Sequence, residues 1–407
     1  MNGFVAPSGP GSAGWRQDFR ALRPDYAGGS IVNLMSSLVL GLGGDATGHE
    51  PLALLPPEEV RDYRQVALIV VDGLGDALLT HLAADSYLAT SRRGTLTSVF
   101  PSTTAAAVTT FLTGLAPQQH GLTGWHMYFR ELGAVLAVLP GRPRFGGVPL
   151  GQAGIAVDRF FGHRPVFERL PVPSQVLSPA LIAHSDFNRG HCRPAAVTGY
   201  ASMAEFFQGL VDSLSRPQGR RFVYGYWSEL DHIAHVSGPF GTEALTHFRQ
   251  WDACWADALA ALARRGDTLL IVSADHGFVE ATPARTVRLE EHAELQDCLV
   301  LPLCGEPRLA YAYVRPGRVR AFERYLGRYL ADVLECQASE TLIAQGWFGP
   351  GAPHPRLAER VGDYTLVMKE NYVILDRLPT ERPLALQGVH GGVSALEMTV
   401  PQAVASR

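Results

Sequence analysis

The stretch VFPSTTAAAVTTFLTG (Val99 to Gly114) places Ser102, Thr103 and Thr104 side by side where a strand-like run turns into a helix-like one. Two chemistries suit such a corner. A hydroxyl there can cap the helix by accepting an orphan backbone N–H. It can also act as a nucleophile, held over the positive end of a helix that binds a phosphate. Further reactive residues lie far away in the chain. Asp72 closes the apolar run of QVALIVVDGLGDALL, and Asp231 and His235 form a D-x-x-x-H pair in SELDHIAHVSGP. Asp275 and His276 are adjacent in SADHG, and His390 lies in GVHGG. A two-metal site for phosphoryl transfer uses about six carboxylate or imidazole ligands around ions roughly 3.5–4 Å apart. These six residues could supply it. Carboxylates with neutral imidazoles suit zinc, with manganese or iron as alternatives. Each residue also has a plainer reading. Asp72 before Gly73 could be a turn acid, Asp231 a cap, His235 an interior histidine, Asp275 and His276 a loop pair, and His390 a glycine-rich loop tip.

What separates these readings is whether the elements bring the six together. GTLTSVF alternates like a strand, and the runs before Asp72, within RRFVYGYW and in DTLLIVSADHGF read as buried strands. TEALTHFRQWDACWADALAALARRG has a helical period that closes on Arg264, Arg265 and Gly266, dipole-matched cations and a terminal glycine. Apolar strands alternating with helices predict an α/β fold, a mostly parallel sheet covered on both faces. Ligands of such sheets bind at the carboxyl ends of the strands. Asp72, Asp231, Asp275 and His276 fall at such ends, with Thr104 just past another. Residues 1–29 read as a loose arm, and GPGSAG within it as a chance match to a dinucleotide-binding pattern. Residues 30–407 read as one catalytic domain, with insertions at about 125–200 and 280–370 that roof the site. In the second insertion, PRLAYAYVRPG looks like a strand and VRAFERYLGRYLADVL like a helix.

The totals narrow the function classes. The 407 residues are 46% hydrophobic, enough for a large core, and the formal net charge of -4 argues against bulk binding to nucleic acid or a membrane surface. The five cysteines, Cys192, Cys254, Cys298, Cys304 and Cys336, contain no C-x-x-C pair, which suits reduced thiols in a reducing compartment. The amino terminus lacks the basic-then-apolar order of a secretory signal, and IVNLMSSLVLGLGG is too short to span a bilayer. The expectation is a soluble cytoplasmic protein with no nucleic-acid partner and no membrane. Its oligomeric state is not legible.

The order Asp72, Thr104, Asp231–His235, Asp275–His276, His390 resembles the alkaline phosphatase superfamily, and within it the type I phosphodiesterase/nucleotide pyrophosphatase branch. The blocks VVDGLG, FPSTTAAAVTTFLTG, QQHGLTGW, YWSELDHIAHVSGP, VSADHGF and GVHGG carry the resemblance over nearly the whole chain. It implies an alkaline phosphatase-like three-layer α/β/α sandwich, two zinc ions and a small-molecule phosphate ester as substrate. Thr104 would be the nucleophile, passing through a covalent phosphoryl- or nucleotidyl-threonine. Asp72, Asp275 and His276 would hold the zinc that also touches Thr104, and Asp231, His235 and His390 the other. Pro101 and Ser102 would shape the corner, and the N–H groups of Thr104 and Ala105 would face the phosphate.

Two departures from the family pattern stand out. Ala105, Ala106 and Ala107 follow Thr104, where eukaryotic relatives place a phosphate-contacting asparagine shortly after the nucleophile. No arginine directly follows Thr104 either. A small, uncharged wall suits a diester monoanion, although Arg130, Arg144, Arg159 or Arg164 could reach in. Trp125, Tyr226 and Trp227 could stack on a base or aryl group, or simply pack in the core. HSDFNRGHC (His184 to Cys192) offers two histidines, an acid and a thiol at no familiar metal spacing. Two other functions stay open: a phosphonate (phosphonoacetate-like) or phosphomonoester hydrolase on the same scaffold, and a metal-holding binding protein. Sulfatase chemistry does not fit, because a threonine cannot become formylglycine.

Overall fold

The computed structural model describes residues 20–215, 219–263, 265–379, 381 and 385–407. Residues 1–19, which include GPGSAG, and Arg264 lie outside the described residues. The strand Gln65–Val71 is buried along its whole length. It runs parallel to Arg221–Trp227 on one side and to Thr268–Ser273 on the other. A strand covered on both faces must be apolar throughout, and its sequence, QVALIVV, nearly is. The seven-stranded sheet continues outward through Ser174–Pro179 to Ala196–Tyr200 on one edge, and through Thr399–Ser406 to Arg92–Thr97 on the other. Thr399–Ser406 runs against both of its neighbours, and every other pairing is parallel. Helices flank this sheet. Ile31–Gly41 packs on Thr104–Thr113, and Met203–Leu214 packs on Thr242–Leu262. The mostly parallel three-layer α/β/α arrangement expected from the sequence is the one observed.

A second, wholly antiparallel sheet of seven strands lies outside that frame. It draws Leu334–Ala338, Tyr364–Met368, Leu309–Ala312 and Cys304–Glu306 from the later stretch, and His126–Phe129, Ala134–Ala137 and Arg142–Pro143 from the earlier one. The earlier stretch is shorter than the sequence suggests. Ser174–Pro179 and Ala196–Tyr200, assigned above to an insertion, are the last two strands of the central sheet, with Ala196–Tyr200 at its edge. The outer one is largely exposed, so it carries little of the apolar signal that marks a buried strand. Of the 319–334 region read as a helix, Val319–Tyr325 is helical and runs into a wider turn over Leu326–Leu330, while Leu334 already opens a strand. No described helix is long and apolar enough to cross a membrane.

Candidate metal centre and nucleophile corner

The ends of two neighbouring strands, Gln65–Val71 and Thr268–Ser273, deliver Asp72, Asp275 and His276 to one buried point. Nε2 of His276 lies 3.4 Å from Asp72 Oδ1 and 3.3 Å from Asp275 Oδ2. The remaining atoms of the trio are already engaged. Tyr226 donates its phenol to Asp72 Oδ2. The N–H groups of Gly73 and His276 each donate to Asp275 Oδ1 at 3.0 Å. His276 Nδ1 faces the Gly277 carbonyl at 3.1 Å. A carbonyl only accepts, so Nδ1 carries the proton and Nε2 presents its lone pair.

A second trio stands beside the first. The helix Glu229–Ser237 carries Asp231 and His235 one turn apart, the i, i+4 spacing that puts both on one face. His235 Nε2 is 3.4 Å from Asp231 Oδ1, and His390 Nε2 is 3.8 Å from the same oxygen. His235 Nδ1 donates to the Gly388 carbonyl at 2.8 Å, which again leaves Nε2 free. The rings of His276 and His390 stack at 3.6 Å, joining the trios. Phe278 meets His235, His276 and His390 edge-on at 5.1, 5.5 and 5.3 Å and wedges the three imidazoles in place.

The donor chemistry fits cations. Asp72 Oδ1, Asp231 Oδ1 and Asp275 Oδ2 are buried without a hydrogen-bond partner. An unpaired carboxylate in such a place is costly unless a positive charge offsets it. Burial, and then the charges of Asp231 and Asp275, push Asp72 well above the usual carboxylate range. Burial, and then Asp275 and Glu306, do the same to Asp231. Burial holds the imidazoles neutral, with His235 pushed down to about 4 and His390 well below its ordinary value. Neutral nitrogens beside bare carboxylate oxygens are the donors that a metal ion takes. Among the described residues these two trios are the groups able to hold a metal. They differ in access: side chains of the first are at most 3% exposed, while Asp231 and His235 are 18% and 24% exposed.

The six hydroxyls of the Val99–Gly114 stretch have separate fates. Thr109 and Thr113 donate back to helix carbonyls four residues earlier, at 2.7 Å each, as buried helical threonines do. Thr110 meets His120 Nε2 at 3.3 Å. Ser102 donates to the Gly392 carbonyl at 2.8 Å and so ties the corner to the His390 loop. Thr103 occupies the N-cap position without making the capping bond, and donates instead to Glu306. Thr104, the first residue of the helix Thr104–Thr113, sets its Oγ1 3.1 Å from His276 Nε2. The N–H groups of Thr104 and Ala105 have no acceptor among the described residues.

The sequence model of the type I phosphodiesterase / nucleotide pyrophosphatase family matches residues 66–392. The chain belongs to that family. It is therefore a phosphodiester hydrolase of the alkaline phosphatase superfamily, whose members are metalloenzymes. Among solved structures, murine ectonucleotide pyrophosphatase / phosphodiesterase 5 superposes with a TM-score of 0.64 at 18% identity, over 83% of this chain and 87% of that one. The human protein gives 0.64 at 17%, over 84% and 87%. An inactive variant of the murine protein in complex with AMP gives 0.62 at 18%, over 84% and 87%. At such identity these likenesses speak for the fold. No curated protein sequence matches the chain.

The other candidate residues divide between core, surface and cavity. Tyr226 does not stack at the cavity but binds Asp72, and Trp227 is sandwiched between Tyr200 and His247 in the core. Trp125, at 38% exposure, is the aromatic of the three that lines the cavity beside Thr104. Of the four arginines considered, Arg144 alone lines it, and its guanidinium is spent on Glu381 and the Leu303 carbonyl. Arg130 pairs with Glu359 and Arg164 with Asp45. In HSDFNRGHC, His191 is buried against His163 at 3.1 Å while His184 is exposed, so no third cluster forms there among the described residues. The sequence reading passed over Glu306. Its Oε1 accepts from Thr103 and, at 2.7 Å, from the Trp125 N–H, while burial lifts the acid to about 7. Only its acidic type in CGEPR could have flagged it.

Proposed function

We propose that the protein hydrolyses phosphate diesters of small molecules through Thr104, with two zinc ions as its cofactors. The observation that carries this reading is the placement of Thr104 Oγ1 at 3.1 Å from His276, beside two trios of unsatisfied ligand atoms. Asp72, Asp275, His276 and Thr104 would hold one ion, and Asp231, His235 and His390 the other. Zinc so bound would lower the pKa of a hydroxyl and offset negative charge on the attacking and leaving oxygens. Thr104 Oγ1 gives up its proton to solvent and attacks phosphorus, so an O–P bond to threonine forms as the ester bond to the leaving group breaks. Water then cleaves the phosphothreonine. The free N–H groups of Thr104 and Ala105, at the positive end of the helix, hold a non-bridging phosphate oxygen. The cavity beside Thr104, about 680 Å³, receives the esterified group against Trp125. AMP bound to a structural neighbour supports a nucleotide as that group. The five free cysteines support a reducing, cytoplasmic setting.

The test is a comparison of aryl phosphate diester, monoester and phosphonate substrates. Diester turnover is expected to lead, to vanish on chelation and to return with zinc. Thr104→Ala is expected to lose at least about a thousandfold in kcat/KM. A variant that keeps its activity removes Thr104 from the mechanism, and a monoester or phosphonate preference moves the chain to the alternative hydrolase reading.

A further inference from the structure

We infer that Glu306 sets the charge of the ester this site accepts: its carboxylate, beside the nucleophile corner, disfavours a dianionic monoester and admits a monoanionic diester. The inference rests on the functional reading above and adds the residue that makes the choice. Glu306 ends the strand Cys304–Glu306 of the second sheet and lines the cavity together with Thr104, Asp231 and His390. Two donors fix it from the site side. Thr103, the residue before the nucleophile, and the backbone of Trp125 both donate to Oε1. A Cβ added to Gly391 would stand 2.9 Å from the Glu306 Cβ, so the His390 loop runs directly against it.

Both of the Glu306 hydrogen bonds go to Oε1, and no hydrogen bond to Oε2 is made among the described residues. Among the described residues no guanidinium is paired with it, although Arg377 also lines the cavity. Arg144 is engaged by Glu381 and the Leu303 carbonyl, and Arg308, two residues along, by Glu397 and backbone carbonyls. Neither trio of candidate metal ligands includes Glu306. A fixed negative charge in a cleft repels each additional charge on a ligand, and the low local dielectric makes that worth roughly tenfold or more. Glutamine at this position keeps the acceptor for Thr103 and Trp125 and removes only the charge.

The experiment uses zinc-loaded protein at alkaline pH, where inorganic phosphate is a dianion and Glu306 is ionised. It measures kcat/KM for nitrophenyl phosphate against bis-nitrophenyl phosphate, and calorimetric binding of inorganic phosphate. Glu306→Gln is expected to raise the monoester-to-diester ratio at least tenfold and to tighten phosphate binding at least tenfold, with metal content unchanged. A smaller change in either quantity overturns the assignment. Should Glu306→Gln fail to fold or to load zinc, Glu306→Met is judged by the same two measures. Retained activity in Thr104→Ala, by contrast, would refute the functional reading without any Glu306 variant.

Discussion

Asp72 uses its two oxygens for different purposes. Oδ2 accepts the Tyr226 phenol, and Oδ1 is left bare 3.4 Å from His276. The phenol thereby fixes which oxygen is presented as a ligand, the kind of outer support that tunes metal affinity. Tyr226→Phe is expected to weaken zinc binding about 10–100-fold with the fold intact, as read by competition with a chromophoric chelator. Unchanged affinity would make the phenol a packing group only. At this scale the sequence was informative about the groups in motifs, Asp231–His235 and Asp275–His276, because their spacing is local. It offered Tyr226 only as a stacking or core ring and did not mark Glu306, because their partners lie 154 and 203 residues away.

The elements meet through close backbone approaches. Gly73, just after Asp72, has φ of +75°, and a Cβ there would fall 2.4 Å from the Phe278 ring. The ring that wedges the three histidines therefore sits where only glycine leaves room. Gly73→Ala combines an unfavourable backbone region with a clash, and an expected loss of about 2–4 kcal/mol follows. Urea unfolding of parent and variant measures it, and a loss below 1 kcal/mol, roughly the backbone effect alone, would mean Phe278 moves aside freely. Periodicity found the elements that are buried on both faces, such as Gln65–Val71. It missed Ala196–Tyr200 as part of the central sheet, because an exposed edge strand needs little apolar residue.

Across the whole molecule, one buried ion pair links the second sheet to the loop that carries His390. Arg308 Nε and Nη2 meet Glu397 Oε1 and Oε2 at 2.9 and 3.0 Å, both side chains at most 1% exposed. Glu397 also accepts from the N–H of Gly392 at 2.8 Å and from the Ser394 hydroxyl at 2.6 Å. Arg308→Met leaves that carboxylate buried and unpaired, so a loss of about 3–5 kcal/mol is expected in denaturant unfolding. Burial alone would raise the Glu397 acid, but Arg308 and the hydrogen bonds outweigh it and hold the group below its ordinary range. A depressed acid stabilises the fold above its unfolded value, near 4.3, and that contribution disappears as pH falls through the folded value. The deficit of Glu397→Gln against the parent is therefore expected to be full at neutral pH and to shrink below about pH 4. A deficit independent of pH would show that the charge contributes nothing.

The sequence by itself determined the candidate ligand types, the turn spacing of Asp231 and His235, the hydroxyl corner and the parallel strands that lead to them. All of these rest on interactions within a few residues. Only the tertiary structure decided which hydroxyl of the corner faces the trios and which aromatic reaches the cavity. It also decided that Glu306 stands beside the hydroxyl corner, held by Thr103 and Trp125. Those outcomes depend on contacts between segments one to three hundred residues apart, whose register no local pattern encodes.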